Sequence, residues 1–213
     1  MLAHPPPARH LWVEFTEGAA VFIQTEQTPN PLTLKFLPGR DVMGEGTREF
    51  RTPDEADVSP LARALFSVDG VKRVFLGPDF VTVTKEPDEL ADWRFLKAPI
   101  LAEIMDHYTA GRPLFEEATG EAAVAHTETA YEGEAAQIVA EIKELLDTRV
   151  RPAVAQDGGD ILFDRYEPDT GVVFLHMRGS CSGCPSSAAT LKVGVENMLK
   201  HYVPEVTRVE QTL

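Results

Sequence analysis

Apolar and polar residues alternate in short runs along much of this chain, with helical spacing between the runs. "VFIQT" (21–25) and "LTLKFLP" (32–38) read as two strands, parted by Pro29-Asn30-Pro31, where ring-locked residues oppose helix. "SPLARALFSV" (59–68) predicts a short helix with Ser59 as N-cap and Pro60 at its first position. "VKRVFLGPDFVTVTK" (71–85) predicts two strands around Gly77-Pro78-Asp79, the second alternating Phe80, Thr82 and Thr84 against Val81 and Val83. "ADWRFLKAPILAEIMDHYTAG" (91–111) predicts a helix ended by Gly111, with Trp93, Phe95, Leu96 and Ile100 expected in a core.

The pattern lapses over "EEATGEAAVAHTETAYEG" (116–133), which carries five glutamates and no Lys or Arg. Like charges of that density repel, and an extended acidic linker is the expectation. Pattern returns with a helix from Glu134 to about Val150, its apolar face Ile138, Ile142, Leu145, Leu146 and Val150. "DGGD" (157–160) turns into the strand "ILFDRY", and "EPDTG" turns the chain back into "VVFLHMRG". A helix from about Ser186 to His201 and a strand "VTRVEQT" (206–212) complete the reading. The expected architecture is α+β in two small domains. The first covers 21–112 and the second 134–213, with linker 113–133 and a disordered extension 1–20. The second domain runs helix, hairpin, cysteine loop, helix, strand.

Charge narrows the partners. A formal net charge of −14 repels phosphate backbones and anionic lipid headgroups, so neither nucleic acid nor membrane is expected as the partner. No apolar run approaches the roughly 20 residues of a membrane span. The first twenty residues lack the apolar core of a secretory signal and carry Glu14 and Glu17, which organelle transit peptides avoid. A start of translation at Val21, where pattern begins, is a simpler account of that stretch. A bacterial cytoplasm is therefore the expected location, with the mitochondrial matrix as the alternative.

The two cysteines, Cys181 and Cys184, stand in "RGSCSGCPSSAATLKVGVENMLKHY" (178–202). Two thiols in a chain of 213 residues make no disulfide framework; in a reducing compartment such a pair is redox-active or metal-binding. The pair falls between a strand end and a helix start, with Pro185 suited to the first helical turn. Sulfurs near the exposed amides of a helix start are expected to favour thiolate, and Arg178 adds positive charge. Gly179, Ser180, Ser182 and Gly183 are small enough to let the loop approach a bulky inorganic group. Three readings stay open on spacing alone. They are dithiol redox work with Cys181 as the more exposed nucleophile, a thiolate site shared by two chains for zinc or an iron–sulfur cluster, and a structural coincidence. The hairpin before the motif leans away from thioredoxin-like proteins, whose motif belongs to a parallel βαβ arrangement.

The segments "RPAVAQDGGDI" and "MRGSCSGCPSSAATLKVGVENMLK" resemble the C-terminal domain of NifU, the Nfu-type iron–sulfur scaffold module. "FIQTEQTPNPLTLKFLPG" with "VKRVFLGPDFVTVTK" is similar to the N-terminal domain that precedes this module in mitochondrial and α-proteobacterial-type Nfu proteins. The resemblance implies a carrier and no enzyme. It implies that Cys181 and Cys184 are cluster and metal ligands, with the pairs of two subunits holding one [4Fe–4S] cluster in a homodimer. Upstream assembly factors would supply the cluster and apo iron–sulfur proteins would receive it. A dithiol–disulfide oxidoreductase is the alternative.

Other residues read as structural. His176 is expected on a half-exposed strand face opposite Val173, Leu175 and Met177, and Asp157 and Asp160 as turn residues beside the cysteine loop. No Gly-rich nucleotide fingerprint occurs, and "GPDF" is a hairpin turn. The N-terminal domain offers no chemistry and is assigned to partner recognition or tuning of release. Cys181→Ala is expected to leave both domains folded, since the cluster would sit at an interface rather than in a core.

Overall fold

Ser59 starts the first helix as its residue type requires: its side chain accepts from the Ala62 N–H at 3.3 Å, and Pro60 follows at the position where a missing N–H is harmless. The computed structural model describes residues 22–88, 91–116, 130–182 and 185–212. Its N-terminal half runs β1 (Gln24–Gln27), β2 (Thr33–Leu37), β3 (Arg48–Phe50), a 3₁₀ turn (Asp54–Val58), α1 (Pro60–Phe66), β4 (Val71–Leu76), β5 (Val81–Lys85) and α2 (Trp93–Thr109). The five strands form one antiparallel sheet in the order β1-β2-β5-β4-β3. Phe36, Phe50, Val74, Leu76, Val81 and Val83 point to one face and share a core with Leu61 and Leu65 of α1 and Leu96, Ile100 and Ile104 of α2. Each such buried side chain stabilises the fold by about 1.5–3 kcal/mol relative to exposure.

The C-terminal half runs α3 (Gly133–Leu145), a π turn (Leu146–Val150), α4 (Arg151–Gln156), β6 (Gly159–Glu167), β7 (Val172–Gly179), α5 (Pro185–Tyr202) and β8 (Arg208–Thr212). β6 and β7 pair as an antiparallel hairpin, while β8 returns through α5 to pair parallel with β7. Ile142, Leu146, Ile161, Val173, Leu175, Met177, Leu199 and Val209 form a second core separate from the first. The α+β class and the two-domain plan agree with expectation.

The differences have physical causes. The first strand begins at Gln24, not Val21, because its ladder is set by pairing with β2 (Gln24 opposite Leu37, Gln27 opposite Leu34). Sequence pattern missed β3, whose three residues are too few for a period to show. The helix from residue 133 continues past Val150 to Gln156, the π turn widening the backbone just before Pro152, whose missing N–H would break an α ladder. On that helix Val139 is buried and Ile138 only partly so. Phe95, expected in the core, is 72% exposed, while Leu96 and Ile100 beside it are buried. Leu114 and Phe115, assigned to the linker, pack on the N-terminal core, and the Glu116 N–H donates to the Val58 carbonyl. The expected extension 1–20 and the acidic run 117–129 lie outside the described residues. No described helix is long and apolar enough to cross a membrane.

Candidate functional site

β7 delivers the chain to the cysteine loop at Gly179, where φ is +65°, a conformation open to glycine without strain. Cys181 follows in a turn closed by the Ser182 N–H donating to the Gly179 carbonyl at 3.1 Å. The residue is 7% exposed and belongs to the C-terminal core. The Asp157–Asp160 turn lies directly against it. Ser180 Oγ donates to the Asp157 carbonyl at 2.6 Å, and its backbone N–H donates to the Gly158 carbonyl at 3.2 Å. A Cβ on Gly159 would stand 2.6 Å from Cys181 Sγ, so only glycine lets the turn approach the sulfur. Ser180 Oγ reaches that sulfur at 3.8 Å. A cleft of about 440 Å³ adjoins the thiol, lined by Pro29, Val154, Ser180, Cys181 and Leu191.

Burial pushes the Cys181 thiol up to about 11; the Ser180 hydroxyl pulls it down, and the carboxylates of Asp157 and Asp160 push it further up. The expected thiolate character is therefore overturned for this conformation. Cys181 precedes α5 by four residues, and its burial outweighs the downward pull of the Ser180 hydroxyl. It is also not an exposed nucleophile, and it sits in a core. Cys184 lies outside the described residues. Arg178 stands beside the loop with its own pKa lowered by burial, against the pull of Glu49 and Asp160.

Asp160 does more than shape a turn. At 3% exposure it accepts from Arg151 Nε at 2.8 Å, from Arg151 Nη2 at 3.1 Å, and from Thr47 Oγ1 at 2.6 Å. Asp157, by contrast, is exposed and contributes its backbone carbonyl. His176 is half-buried as expected, with Nε2 3.0 Å from Arg51 Nη2 and Nδ1 3.4 Å from Thr212 Oγ1. The motif is also flanked by a parallel crossover, β7–α5–β8, as well as by the hairpin, so the topological leaning against thioredoxin-like proteins loses its basis.

The N-terminal sheet supplies residues that sequence reasoning missed. On the face turned away from α1 and α2, Lys35, Thr82, Phe75 and Glu49 stand opposite one another across β2, β5, β4 and β3. All four meet the C-terminal domain. Lys35 Nζ donates to the Ala155 and Gln156 carbonyls, each at 3.1 Å, capping the end of α4 where free carbonyls attract a cation. Thr82 Oγ1 donates to the Gly158 carbonyl at 2.8 Å. Phe75 lies against Gly179, where a Cβ would come within 3.0 Å of its ring. Glu49 accepts from the Gly179 N–H at 3.0 Å and from Ser182 Oγ at 3.2 Å, and Arg73 Nη1 stands 2.9 Å from the same hydroxyl. The one available signal was the Thr82/Thr84 alternation, which reads equally well as a solvent face.

The family described as "Scaffold protein Nfu/NifU N terminal" matches residues 23–111, and the "NifU-like domain" matches 142–210. The chain is 51% identical over 200 residues to "NifU-like protein 5, mitochondrial" of Arabidopsis thaliana, covering 94% of this chain and 70% of that protein. It is 52% identical over 195 residues to the Homo sapiens "NFU1 iron-sulfur cluster scaffold homolog, mitochondrial", covering 91% of this chain and 72% of that one. A solution structure of a NifU-like protein from Saccharomyces cerevisiae aligns with 55% of this chain and 100% of its own, at 25% identity and a TM-score of 0.42. With half its sequence in common with the Arabidopsis and human proteins over nearly its whole length, the chain belongs to the Nfu/NifU scaffold family.

Proposed function

We propose that this protein carries an iron–sulfur cluster as cargo, holding it through Cys181 and Cys184 and passing it to apo iron–sulfur proteins. Family membership supports the scaffold or carrier role. The finer reading is a [4Fe–4S] cluster held between two copies of the chain, since one chain has two thiols and such a cluster takes about four thiolates. One observation carries it: a cysteine loop of small residues, opening onto a cleft of about 440 Å³, in the domain that matches the NifU-like family. Thiolate exchange at a shared, edge-exposed cluster gives a route of release that a four-cysteine site in one chain lacks. On this reading the protein is a carrier and not a catalyst, and residues 134–213 are the cluster-binding domain, joined through the acidic run to the N-terminal domain. The mitochondrial labels of the relatives favour the matrix over a bacterial cytoplasm as its location.

Anaerobic reconstitution with ferrous iron and sulfide tests the proposal, read by Mössbauer spectra and native mass. The expected product holds four irons per two chains and splits to monomers when the cluster is removed. Cys181→Ser and Cys184→Ser should each abolish iron retention. A monomer that excludes iron yet cycles between dithiol and disulfide would establish the oxidoreductase alternative instead.

A further inference from the structure

The contact between the two domains falls on the loop that the proposed function needs. Lys35, Thr82, Phe75 and Glu49 form one row across four strands, and the row runs along Ala155–Gly158 and Gly179–Ser182. A second row, Thr33, Thr84 and Arg73, lies beside it; Arg73 reaches Ser182 Oγ, and Asn30 Nδ2 reaches the Ser182 carbonyl at 3.5 Å. Thr47 on Asp160 and Arg51 at His176 extend the contact beyond the rows. The flanks of Cys181 are thus held by the N-terminal domain, while Cys181 itself, 7% exposed, packs in the C-terminal core. Cys181 in this state is not presented at the surface.

The chemistry of the contact favours separation. Apart from Phe75 these groups are charged or polar, and the buried cores of the two domains share no residue. Hydrogen bonds exchanged for water contribute little net free energy each, about 0.5–1.5 kcal/mol, and polar interfaces within a chain open more readily than apolar ones. The glycine at 158 has φ +80°, and a Cβ there would meet Thr82 Oγ1 at 3.0 Å, so the close approach depends on a residue without a side chain.

We propose that the N-terminal sheet is a reversible cap on the cysteine loop. Its outer face covers the loop in the cluster-free chain, and uptake requires the two domains to part. This inference rests on the reading of Cys181 as a cluster ligand, but its test needs no iron. In the full chain carrying Cys184→Ser, the rate at which N-ethylmaleimide labels Cys181 is measured before and after Lys35→Ala and Glu49→Ala are added together. Small-angle scattering reports the separation of the domains, and near-UV circular dichroism melts report their folding.

The expected result is labelling at least tenfold faster in the uncapped variant, with a larger radius of gyration and an unchanged melt for the C-terminal domain. Equal labelling rates would overturn the cap. Faster labelling accompanied by a lowered C-terminal melt would overturn it as well, since the substitutions would then have loosened the fold rather than released a cover. Failed reconstitution with a positive labelling result would sink the ligand role and leave the cap standing, so the two readings fail separately.

Discussion

Single residues decide how close the Asp157–Asp160 turn comes to the thiol. Gly159→Ala places a methyl 2.6 Å from Cys181 Sγ and 2.8 Å from the Arg178 carbonyl, two atoms fixed by a core and a strand. The expected outcome is a loss of about 1–3 kcal/mol in stability with displacement of the sulfur. Urea unfolding and reconstituted iron content check the two halves of that statement. Asp160→Ala removes the carboxylate that Arg151 and Thr47 converge on, and should lower C-terminal stability by about 2 kcal/mol in the same assay. At this scale the cysteine pair and its glycines were legible because C-x-x-C, "DGGD" and Pro185 are local signals. The upward push on the Cys181 thiol was not legible, because its first cause is burial, which follows from tertiary packing. The burial of Cys181 also changes the reason for expecting Cys181→Ala to fold: the substitution shrinks a core side chain by one sulfur, a small loss by the standard of core truncations.

The joint between α5 and β8 holds the parallel strand in place. Glu196 accepts from Lys200 Nζ at 2.6 Å and from the Val209 N–H at 3.0 Å; Glu210 accepts from Lys192 Nζ at 2.7 Å. These lysines and the Val209 amide hold both carboxyls below the usual glutamate range. A lowered carboxyl binds fewer protons folded than unfolded. Its contribution is therefore present above the ordinary glutamate value and is lost as pH falls through the lowered one. Glu196→Gln keeps an oxygen for the Val209 N–H but no longer titrates. It should flatten the acid limb of C-terminal stability by lowering the neutral-pH value toward the acid one, as thermal melts from pH 7 down to about 3 would show. The hairpins and α1 could be read in advance because turn residues and caps are local. The extension of α3 through Pro152 could not, because a π turn leaves the apolar period intact and only shifts its phase.

Across the whole molecule, two separate cores joined by a polar face predict two separable unfolding events. Ile100→Ala, in the N-terminal core, should lower one calorimetric transition by about 2–5 kcal/mol and leave the other in place. A single transition that shifts as a unit would instead mean that the cap couples the domains strongly. The two-domain plan was legible because the acidic, patternless run divides two patterned stretches. The docking of one domain on the other was not, since a threonine face of a strand looks the same whether water or a neighbouring domain covers it.

The row formed by Lys35, Thr82, Phe75 and Glu49 has a consequence for how the protein is made. Synthesis proceeds from the N-terminus, and domains generally fold in that order. All five strands of the sheet precede residue 86, so the sheet can be complete before Cys181 has been joined to the chain. A slip of one residue in any of the four strands that carry the row would turn that strand's member to the other face. Only a correctly registered sheet therefore offers the surface on which the cysteine loop comes to rest. The flanks of Cys181 then fold against a finished cover.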